Sequence, residues 1–384
     1  MRYSLLVSIL SLSLNSFSQV VSSGGGTGDW NDAASWSPAG VPTTASGTIT
    51  ILNGHTITVT DTRSADQITI NSGGTLIISG SGNFTVAAGS GDDLTVNGTL
   101  QNNGTLIIFN DPPPPPIGNA VVQVNGTFEN AGTVTNATAL RLFFNDGSIY
   151  DHQFTSTAGI IPTASWNANS TCLISGYTSN GTAPTGLGQS FGNFTWNTPS
   201  LATFIDLNGS LVDVNGNLTF TSSPSYVYLT FATGYTLNVD GDLTISTEFG
   251  FTDTGNATLN VMGNVLMDGG FTFLSGDGNV TMNIDGDYSV TGGTHDYCYS
   301  TGTTSINVSG DVSLTGGTLT RSGAGLQTIT FEGTSPTIQN FSGGATVSNS
   351  MNFVVSSSSI LDMGTSSVTG GGSFSSNYMR ELML

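Results

Sequence analysis

The chain of 384 residues contains no lysine and only five arginines, against 25 acidic residues, so its formal net charge is −20. A surface this acidic repels nucleic acid and anionic lipid, and neither is an expected partner. Helical domains carry Lys, Glu, Arg and Ala on their exposed faces, yet charged residues make up only 8% of this chain. The shortage of charge therefore disfavours a helical fold.

Long apolar runs are also scarce. The first 18 residues combine Arg2, an apolar stretch at 5–14 and a small-x-small motif at 16–18. This pattern predicts a secretory signal peptide at 1–18, because the apolar stretch is only about half of the ~20 residues that a membrane-spanning helix needs. We therefore expect an exported protein, extracellular or at the cell surface, with no membrane span.

Cysteine is limited to Cys172 and Cys298. In a coiled sheet that advances ~4.8 Å per turn, their separation in sequence corresponds to roughly 25 Å along the axis. A disulfide requires Cα atoms within about 7 Å of each other. We expect the two thiols to stay unpaired.

What the chain has instead is Gly, Ser, Thr and Asn, with 37% apolar residues that alternate with polar ones. Such alternation is typical of half-buried strands joined by tight turns. One cassette recurs, with the pattern apolar-x-apolar-x-Gly-x-apolar-x-apolar. Its copies lie at 212–220, 237–245, 259–267, 282–290 and 306–314, with shorter copies at 94–100 and 122–128.

The cassette glycines from Gly216 to Gly310 are 22 to 25 residues apart, which suits one turn of a coiled sheet. We predict an all-β fold, a right-handed parallel β-helix (β-solenoid) of about 22–25 residues per rung with an N-terminal cap. A leucine-rich repeat would show an asparagine ladder, which the pattern lacks. The alternative is an antiparallel β-sandwich, which gives no reason for seven copies of one cassette.

The cassette also predicts where each rung turns. Its glycine shares the inward parity of the apolar residues, so we expect a corner that is too tight for a side chain or that needs a positive φ. Gly-Gly pairs, such as Gly269-Gly270, keep the same period and predict a second turn in each rung.

The predicted organisation has four parts. Residues 1–18 are the signal peptide, and 19–61 form the cap and first strands. Residues 62–372 form the rungs, with a proline-rich loop near 111–118 and about four irregular rungs between Gly126 and Gly216. Residues 373–384 form an irregular tail, and we expect the chain to be a fragment of a longer protein.

Three segments carry a resemblance to a known group of proteins. They are Gly28-Asp-Trp30 with Trp36, Gly40-Val-Pro42 and Ile51-x-x-Gly54-His55-x-Ile57-x-Val59; Gly188-Gln-Ser-Phe-Gly192-Asn-Phe-Thr-Trp196; and Gln327-Thr-Ile-Thr-Phe331-x-Gly333. They resemble exported, β-helical, adhesin-like surface proteins of Bacteroidota. The resemblance implies export by a signal peptide and a C-terminal sorting domain, and it implies no catalytic residues.

Catalysis is not expected, although parallel β-helices can host polysaccharide lyases and glycoside hydrolases. A hydrolase needs two converging carboxylates about 5 to 9.5 Å apart. Candidate pairs are Asp92 with Asp93, Asp146 with Asp151, and Asp277 with Asp285, and nothing in their spacing selects one. The histidines at 55, 152 and 295 lack partners at ligand spacing, and we expect solvent-facing loop residues.

Calcium is the one cofactor that the pattern allows. Asp240, Asp242, Asp285, Asp287 and Asp311 recur on either side of the cassette glycines, and stacked carboxylates can be bridged by Ca²⁺. Because the columns are interrupted, the favoured interpretation is solvated turn residues and no cofactor.

We therefore expect a structural or adhesive module that binds carbohydrate or another cell-surface component, with a carbohydrate-active enzyme as the alternative. Its binding surface is expected where the cassette is interrupted. Those places are the proline-rich loop, residues 127–210, and the aromatic patch at 295–299.

Overall fold

The computed structural model describes residues 19–110, 118–334, 338–366 and 369–376. They form a parallel β-helix of about 13 turns with almost no helix, as the cassette predicts. The predicted signal peptide, the run Pro112 to Pro116 and the last eight residues of the tail lie outside the described residues.

The strands are short and follow one another closely. The first group is β1 (Val20–Ser22), β2 (Thr27–Asp29), β3 (Trp36–Ser37), β4 (Ile49–Ile51), β5 (Thr56–Val59), β6 (Thr62–Ala65), β7 (Ile68–Ile70), β8 (Thr75–Ile78), β9 (Asn83–Val86), β10 (Leu94–Val96), β11 (Thr99–Asn102), β12 (Thr105–Ile108), β13 (Val122–Val124), β14 (Thr127–Asn130) and β15 (Thr133–Thr135). The second group is β16 (Leu142–Phe144), β17 (Ile149–His152), β18 (Ser165–Trp166), β19 (Thr171–Ile174), β20 (Ser190–Phe191), β21 (Asn193–Asn197), β22 (Ile205–Asp206), β23 (Asp213–Val214), β24 (Leu218–Ser222), β25 (Val227–Thr230), β26 (Tyr235–Val239), β27 (Leu243–Ile245), β28 (Phe249–Thr252) and β29 (Ala257–Val261). The third group is β30 (Val265–Met267), β31 (Phe271–Phe273), β32 (Val280–Ile284), β33 (Tyr288–Val290), β34 (Thr294–Asp296), β35 (Thr304–Val308), β36 (Val312–Leu314), β37 (Thr318–Thr320), β38 (Gln327–Phe331), β39 (Ile338–Gly343), β40 (Thr346–Val355), β41 (Ile360–Asp362) and β42 (Thr369–Ser376). A single 3₁₀ turn spans Ala33–Ser35.

Each regular rung contributes one strand to each of three faces. Face A includes β4, β7, β10, β13, β16 and β18, and later β20, β23, β26, β29, β32, β35 and β38. Face B runs without a break from β2 through β5, β8, β11, β14, β17, β19, β21, β24, β27, β30, β33, β36 and β39 to β41. Face C includes β6, β9, β12 and β15, and later β22, β25, β28, β31, β34 and β37.

Inward side chains from all three faces build one continuous core. In β26, for example, Leu237 and Val239 are buried, and the alternate residues Thr236 and Asn238 are exposed. Burial alternates in the same way along most strands, because successive side chains in a strand point to opposite sides. The period-2 apolar pattern of the sequence therefore becomes the inner wall of the solenoid.

The N-terminal end of the core is covered by a cap built on two tryptophans. Trp30 and Trp36 are buried, and the edge strand β3 pairs antiparallel with β1. The indole of Trp36 donates to the carbonyl of Trp30 at 2.9 Å, and that of Trp30 donates to the carbonyl of Pro42 at 3.2 Å. The Trp30 ring also lies 5.0 Å from Phe84 of the rungs below, so it closes the open end of the core.

Residues 127–210 keep the rung period on face B. There, Thr127 pairs with Ile149, Ile149 with Thr171 and Thr171 with Asn193, a constant step of 22 residues. Faces A and C lose regularity in this stretch, where isolated bridges replace some strands. The expectation of about four irregular rungs holds, and it is faces A and C that are irregular.

The cassette glycines lie between faces A and B, and of the two predicted reasons for glycine there, the lack of room for a side chain is the one that applies. Those from Gly216 to Gly310 have no positive φ. A Cβ added at Gly263 would instead lie 2.5 Å from Asp242 Oδ1 and 2.6 Å from the carbonyl group of Gly241 in the rung below. Close approach of successive rungs therefore requires glycine here. A positive φ occurs at the other corner, in Gly270, Gly293 and Gly317 of the Gly-Gly pairs.

An asparagine ladder is present, contrary to the sequence analysis. The outward amides of Asn260, Asn283 and Asn307 each donate at 2.9 Å to the asparagine one rung earlier, starting at Asn238. These asparagines lie at outward positions between the apolar residues of the cassette, so the apolar pattern does not reveal them. At the other end, β42 pairs with β40 and continues to Ser376, past the predicted end of the rungs at residue 372.

Replacing Gly263 with alanine is expected to lower the free energy of unfolding by about 1–3 kcal/mol, because the added methyl group forces neighbouring rungs apart. Gly25 is the matched control, since its φ is not positive and a Cβ there would meet no atom within 4 Å. Urea denaturation of the Gly263→Ala and Gly25→Ala variants measures both effects. Equal stability of the two variants would contradict the close-approach argument.

Candidate functional site

The recurring carboxylates predicted as calcium candidates lie at the corner between faces A and B, directly beside the cassette glycines. Asp240, Asp242, Asp285 and Asp287 are exposed there, and Asp311 is partly exposed. Three of them belong to a longer column of Asn and Asp residues, which we call the Asx ladder. Its members are Asn193, Asn217, Asp242, Asn264, Asp287, Asp311 and Asn340.

Each rung of the Asx ladder is held to the next by one hydrogen bond from a backbone N–H to a side-chain oxygen. The N–H of Asn264 donates to Asp242 Oδ1 at 2.7 Å, and the N–H of Asp287 donates to Asn264 Oδ1 at 2.8 Å. Asp287 then accepts from the N–H of Asp311 at 2.8 Å. The only requirement at these positions is an acceptor oxygen, which explains why Asn and Asp alternate freely.

This arrangement gives the acidic corner a structural role. Asp242, Asp287 and Asp311 each use one oxygen to satisfy the backbone of the following rung. Within the described residues, no group of three or more His, Cys, Asp or Glu side chains is placed to hold a metal ion. Calcium binding at these aspartates stays a hypothesis.

The histidines at 152 and 295 are buried, so the expectation of solvent-facing loop residues is wrong for both. They lie at inward positions on β17 and β34, outside any copy of the cassette that would predict their direction. His152 Nε2–H donates to the carbonyl of Ala158 at 2.8 Å, and Nδ1 accepts from the hydroxyl of Tyr150 at 3.0 Å. Burial lowers the pKa of His152 to about 4.

A buried network of hydrogen-bonded side chains runs from His152 across three rungs. The hydroxyl of Tyr150 accepts from the amide of Asn130 at 3.1 Å, and Asn130 Oδ1 accepts from the amide of Asn102 at 2.8 Å. All four side chains are fully buried. Because these polar side chains find their hydrogen-bond partners inside the core, the network is structural and offers no opening to a substrate.

The carboxylate pairs nominated for hydrolysis have separate partners. Asp93 is buried and accepts the N–H of Val121 at 2.8 Å, whereas Asp92 is exposed. Asp146 accepts from Asn169, and Asp151 accepts from Gln153 and Ser175. Asp277 precedes β32 and Asp285 follows it, so these two lie at different corners of one rung.

The predicted aromatic patch at 295–299 is only partly a surface feature. His295, Asp296, Tyr297 and Cys298 are buried. Cys172 and Cys298 are both free thiols, as expected from their separation. Tyr299 is the one member that is partly exposed, and its ring lies 4.8 Å from that of Phe273 one rung earlier.

Tyr299 belongs to a larger cluster on the outside of face C, which we call the aromatic face. It comprises Phe204, Tyr226, Tyr228, Phe231, Phe271, Phe273 and Tyr299. Phe204 is 54% exposed, and the other six are partly exposed. The cluster spans five successive strands of face C, from β22 to β34.

The rings of the aromatic face form an unbroken line of contacts. Centroids are separated by 6.4 Å from Phe204 to Tyr228, 5.8 Å from Tyr228 to Tyr226, and 5.2 Å from Tyr226 to Phe273. These distances lie within or near the range of favourable aromatic pairs. The surface is therefore continuous and does not consist of isolated apolar side chains.

A glycine makes room for this line. Gly250 lies between Tyr228 and Phe273 in the paired register of β25, β28 and β31. A Cβ at Gly250 would overlap the ring of Tyr228, so that ring covers the glycine backbone. The absence of a side chain on β28 thus allows Tyr228 to lie against the sheet.

Carboxylates border the aromatic face. Burial and the nearby Glu248 carboxylate raise the pKa of Tyr226, and burial and Asp253 raise the pKa of Tyr228. The hydroxyl of Tyr299 donates to Asp253 Oδ1. Burial raises the pKa of Asp253, and the negative charge of the nearby Asp277 raises it further, so these two acids lie close together.

The sequence contains a signal for this surface. Tyr226 and Tyr228 flank the buried Val227, and Phe271 and Phe273 flank the buried Thr272. Aromatic residues that point outward from the same face in several rungs form an exposed line. The cassette is centred on the corner between faces A and B, so it does not predict which side chains of face C point outward.

Comparison of the chain with protein-family models, with curated proteins and with solved structures finds no match. Across the part of the chain that the structure describes, no helix has the length and apolar character needed to span a membrane. Function must therefore be argued from the geometry of the surface.

The Asx ladder predicts that Asp242→Asn keeps the stability of the native chain, because the amide oxygen replaces the carboxylate oxygen. Asp242→Ala is expected to cost about 1–3 kcal/mol, since the N–H of Asn264 loses its acceptor. Thermal melts with EDTA and with millimolar calcium check both variants. A native melting temperature that calcium raises, and that Asp242→Asn makes insensitive to calcium, would instead support the metal hypothesis.

The low pKa of His152 predicts acid sensitivity. As pH falls from 6.5 towards 4, the unfolded chain binds a proton that the folded chain does not bind, so stability declines in this window. His152→Gln is expected to remove a decline of up to about 3 kcal/mol. Tyr177→Phe, which removes the hydroxyl that donates to the carbonyl of Ala158 and keeps His152 in place, is the control and should keep the native slope. Parallel pH profiles of His152→Gln and the native chain would refute this assignment.

Proposed function

We propose that this chain is an adhesive module of a secreted or cell-surface protein and that the aromatic face binds carbohydrate. The observation that carries the proposal is the continuous line of partly exposed rings across five rungs. Contiguous apolar surface of this kind marks interaction sites more often than single exposed side chains do.

The chemistry of the aromatic face suits sugars. The face of a sugar ring presents C–H groups with slight positive charge, which pack against the negative face of an aromatic ring. Tyrosine hydroxyls and the carboxylates of Glu248 and Asp253 provide polar partners for sugar hydroxyls at the border. Apolar rings with a few polar groups beside them are typical of ligand sites.

The scaffold also suits a polymeric ligand. Successive strands of face C are ~4.8 Å apart, which is comparable to the length of one sugar unit in a glycan chain. The sheet pairing fixes the rings relative to one another before any ligand arrives, which reduces the entropy lost on binding. A rigid rod with a line of rings favours adhesion to an extended polysaccharide.

The proposal assigns no catalytic step to the chain. The three carboxylate pairs considered for hydrolysis have separate hydrogen-bond partners or lie at different corners. Export and a location outside the cell are part of the proposal and rest on the predicted signal peptide.

Phe273→Ala and Tyr228→Ala are each expected to weaken polysaccharide binding about tenfold or more, because each removes one stacking surface from the line. Affinity electrophoresis against neutral, acidic and amine-bearing polysaccharides measures the effect. Leu140→Ala is the control, since this side chain is 81% exposed and lies elsewhere. Failure of the native chain to bind any polysaccharide, or full binding by both aromatic variants, would refute the proposal.

A further inference from the structure

We propose that the ligand of the aromatic face is a glycan that carries protonated amines, namely a polymer of amino sugars. This inference rests on the proposed function and narrows it from carbohydrate in general to one chemical class. It is argued from the uncompensated negative charge around the rings.

Among the residues that the structure describes, the carboxylates at the aromatic face have no cationic partner. The described residues contain one salt bridge, between Arg63 and Asp61. Of the other two arginines in that part of the chain, Arg141 donates to Asn110 and to the carbonyl of Asn136. Arg321 donates to the carbonyl of Gly325.

Glu248, Asp253 and Asp277 therefore form no ion pair within the described residues, although they lie beside an apolar surface. Asp277 accepts hydrogen bonds from the hydroxyls of Ser300 and Thr301, which are neutral donors. Asp253 accepts from Tyr299, also neutral. Since the chain has no lysine and the described arginines bond elsewhere, the described residues supply no positive charge to this surface.

Aromatic rings bordered by carboxylates attract cations in two ways. The negative face of each ring attracts an ammonium group, and the carboxylates attract it directly. The same charges repel uronic acids and sulfated sugars, as does the net charge of −20. Among glycans, this combination favours one whose sugar rings carry protonated amines.

The extent of the line indicates a polymer. Five strands of face C at ~4.8 Å spacing extend about 20 Å, which exceeds a single sugar or a small amine. A basic peptide is the other polymer with repeated amines. The glycan is favoured because every sugar ring can stack on the line of aromatic rings. A lysine side chain would contact an aromatic ring mainly through its terminal ammonium group.

Isothermal titration calorimetry with the native chain tests the inference at about pH 6 and low salt. The probes are a hexasaccharide of glucosamine, its fully N-acetylated counterpart, and hexalysine. The two sugars share one backbone and differ in charge. We expect the amine form to bind at least about tenfold more tightly, and we expect the difference to shrink as salt rises.

Three variants separate charge from stacking. Asp253→Asn and Glu248→Gln are expected to abolish the preference for the amine and to leave binding of the acetylated sugar in place. Phe273→Ala is expected to weaken both sugars. Asp285→Asn is the matched control, because this exposed carboxylate lies at the corner between faces A and B. Circular dichroism confirms that each variant is folded.

Equal binding of the two hexasaccharides, with both weakened by Phe273→Ala, would overturn the amine inference and leave the proposed function standing. Hexalysine binding as tightly as the glucosamine hexasaccharide would overturn the choice of a glycan. If neither sugar binds while other polysaccharides do, the inference again fails alone. If no polysaccharide binds, the proposed function fails with it.

Discussion

The close approach of successive rungs at the corner between faces A and B is the constraint on which the rest of the structure depends. At this corner the backbone of one rung lies against the carbonyl groups of the rung below, which leaves no room for a Cβ. The Asx ladder occupies the adjacent position and supplies the acceptors for the backbone N–H groups that the turn exposes. Glycine and an Asn or Asp thus act together, one by its lack of a side chain and the other by its oxygen.

This pairing explains how much of the fold was accessible from the sequence. The inward apolar residues and the glycine spacing predicted the rung length and the parallel β-helix, because both reflect contacts repeated in every turn. The spacing was lost between Gly126 and Gly216 because Ser148 and Ser170 stand directly before the face B strands β17 and β19, where other rungs have glycine. Both serines are buried, and their hydroxyls donate to the carbonyls of Asn145 and Asn167 at 2.7 Å. A serine at this position preserves the corner, but the corner is then not recognised from the spacing of glycines.

The surface was harder to predict, since the direction of a side chain depends on the local register of each face. The cassette fixes register at one corner, whereas face C lies beyond a second corner that the cassette does not include. His295 and Tyr297 therefore looked exposed and are buried, while Tyr226 and Phe273 point outward. Of the five recurring aspartates, Asp242, Asp287 and Asp311 are explained by one acceptor oxygen each. Residue type alone could not separate a structural carboxylate from a binding one.

The arrangement around Gly250 argues that the aromatic face is more than unused surface. A glycine within a strand weakens it, because the unfolded backbone gains freedom and no side chain packs against the neighbours. On β28 that weakness coincides with the ring of Tyr228, which lies over the glycine and joins the line that leads to Phe273. An outward side chain at Gly250 would displace this ring and interrupt the line. Glycine at position 250 thus lowers the local stability of β28 and keeps the line of rings continuous. A purely structural rod would not need that continuity.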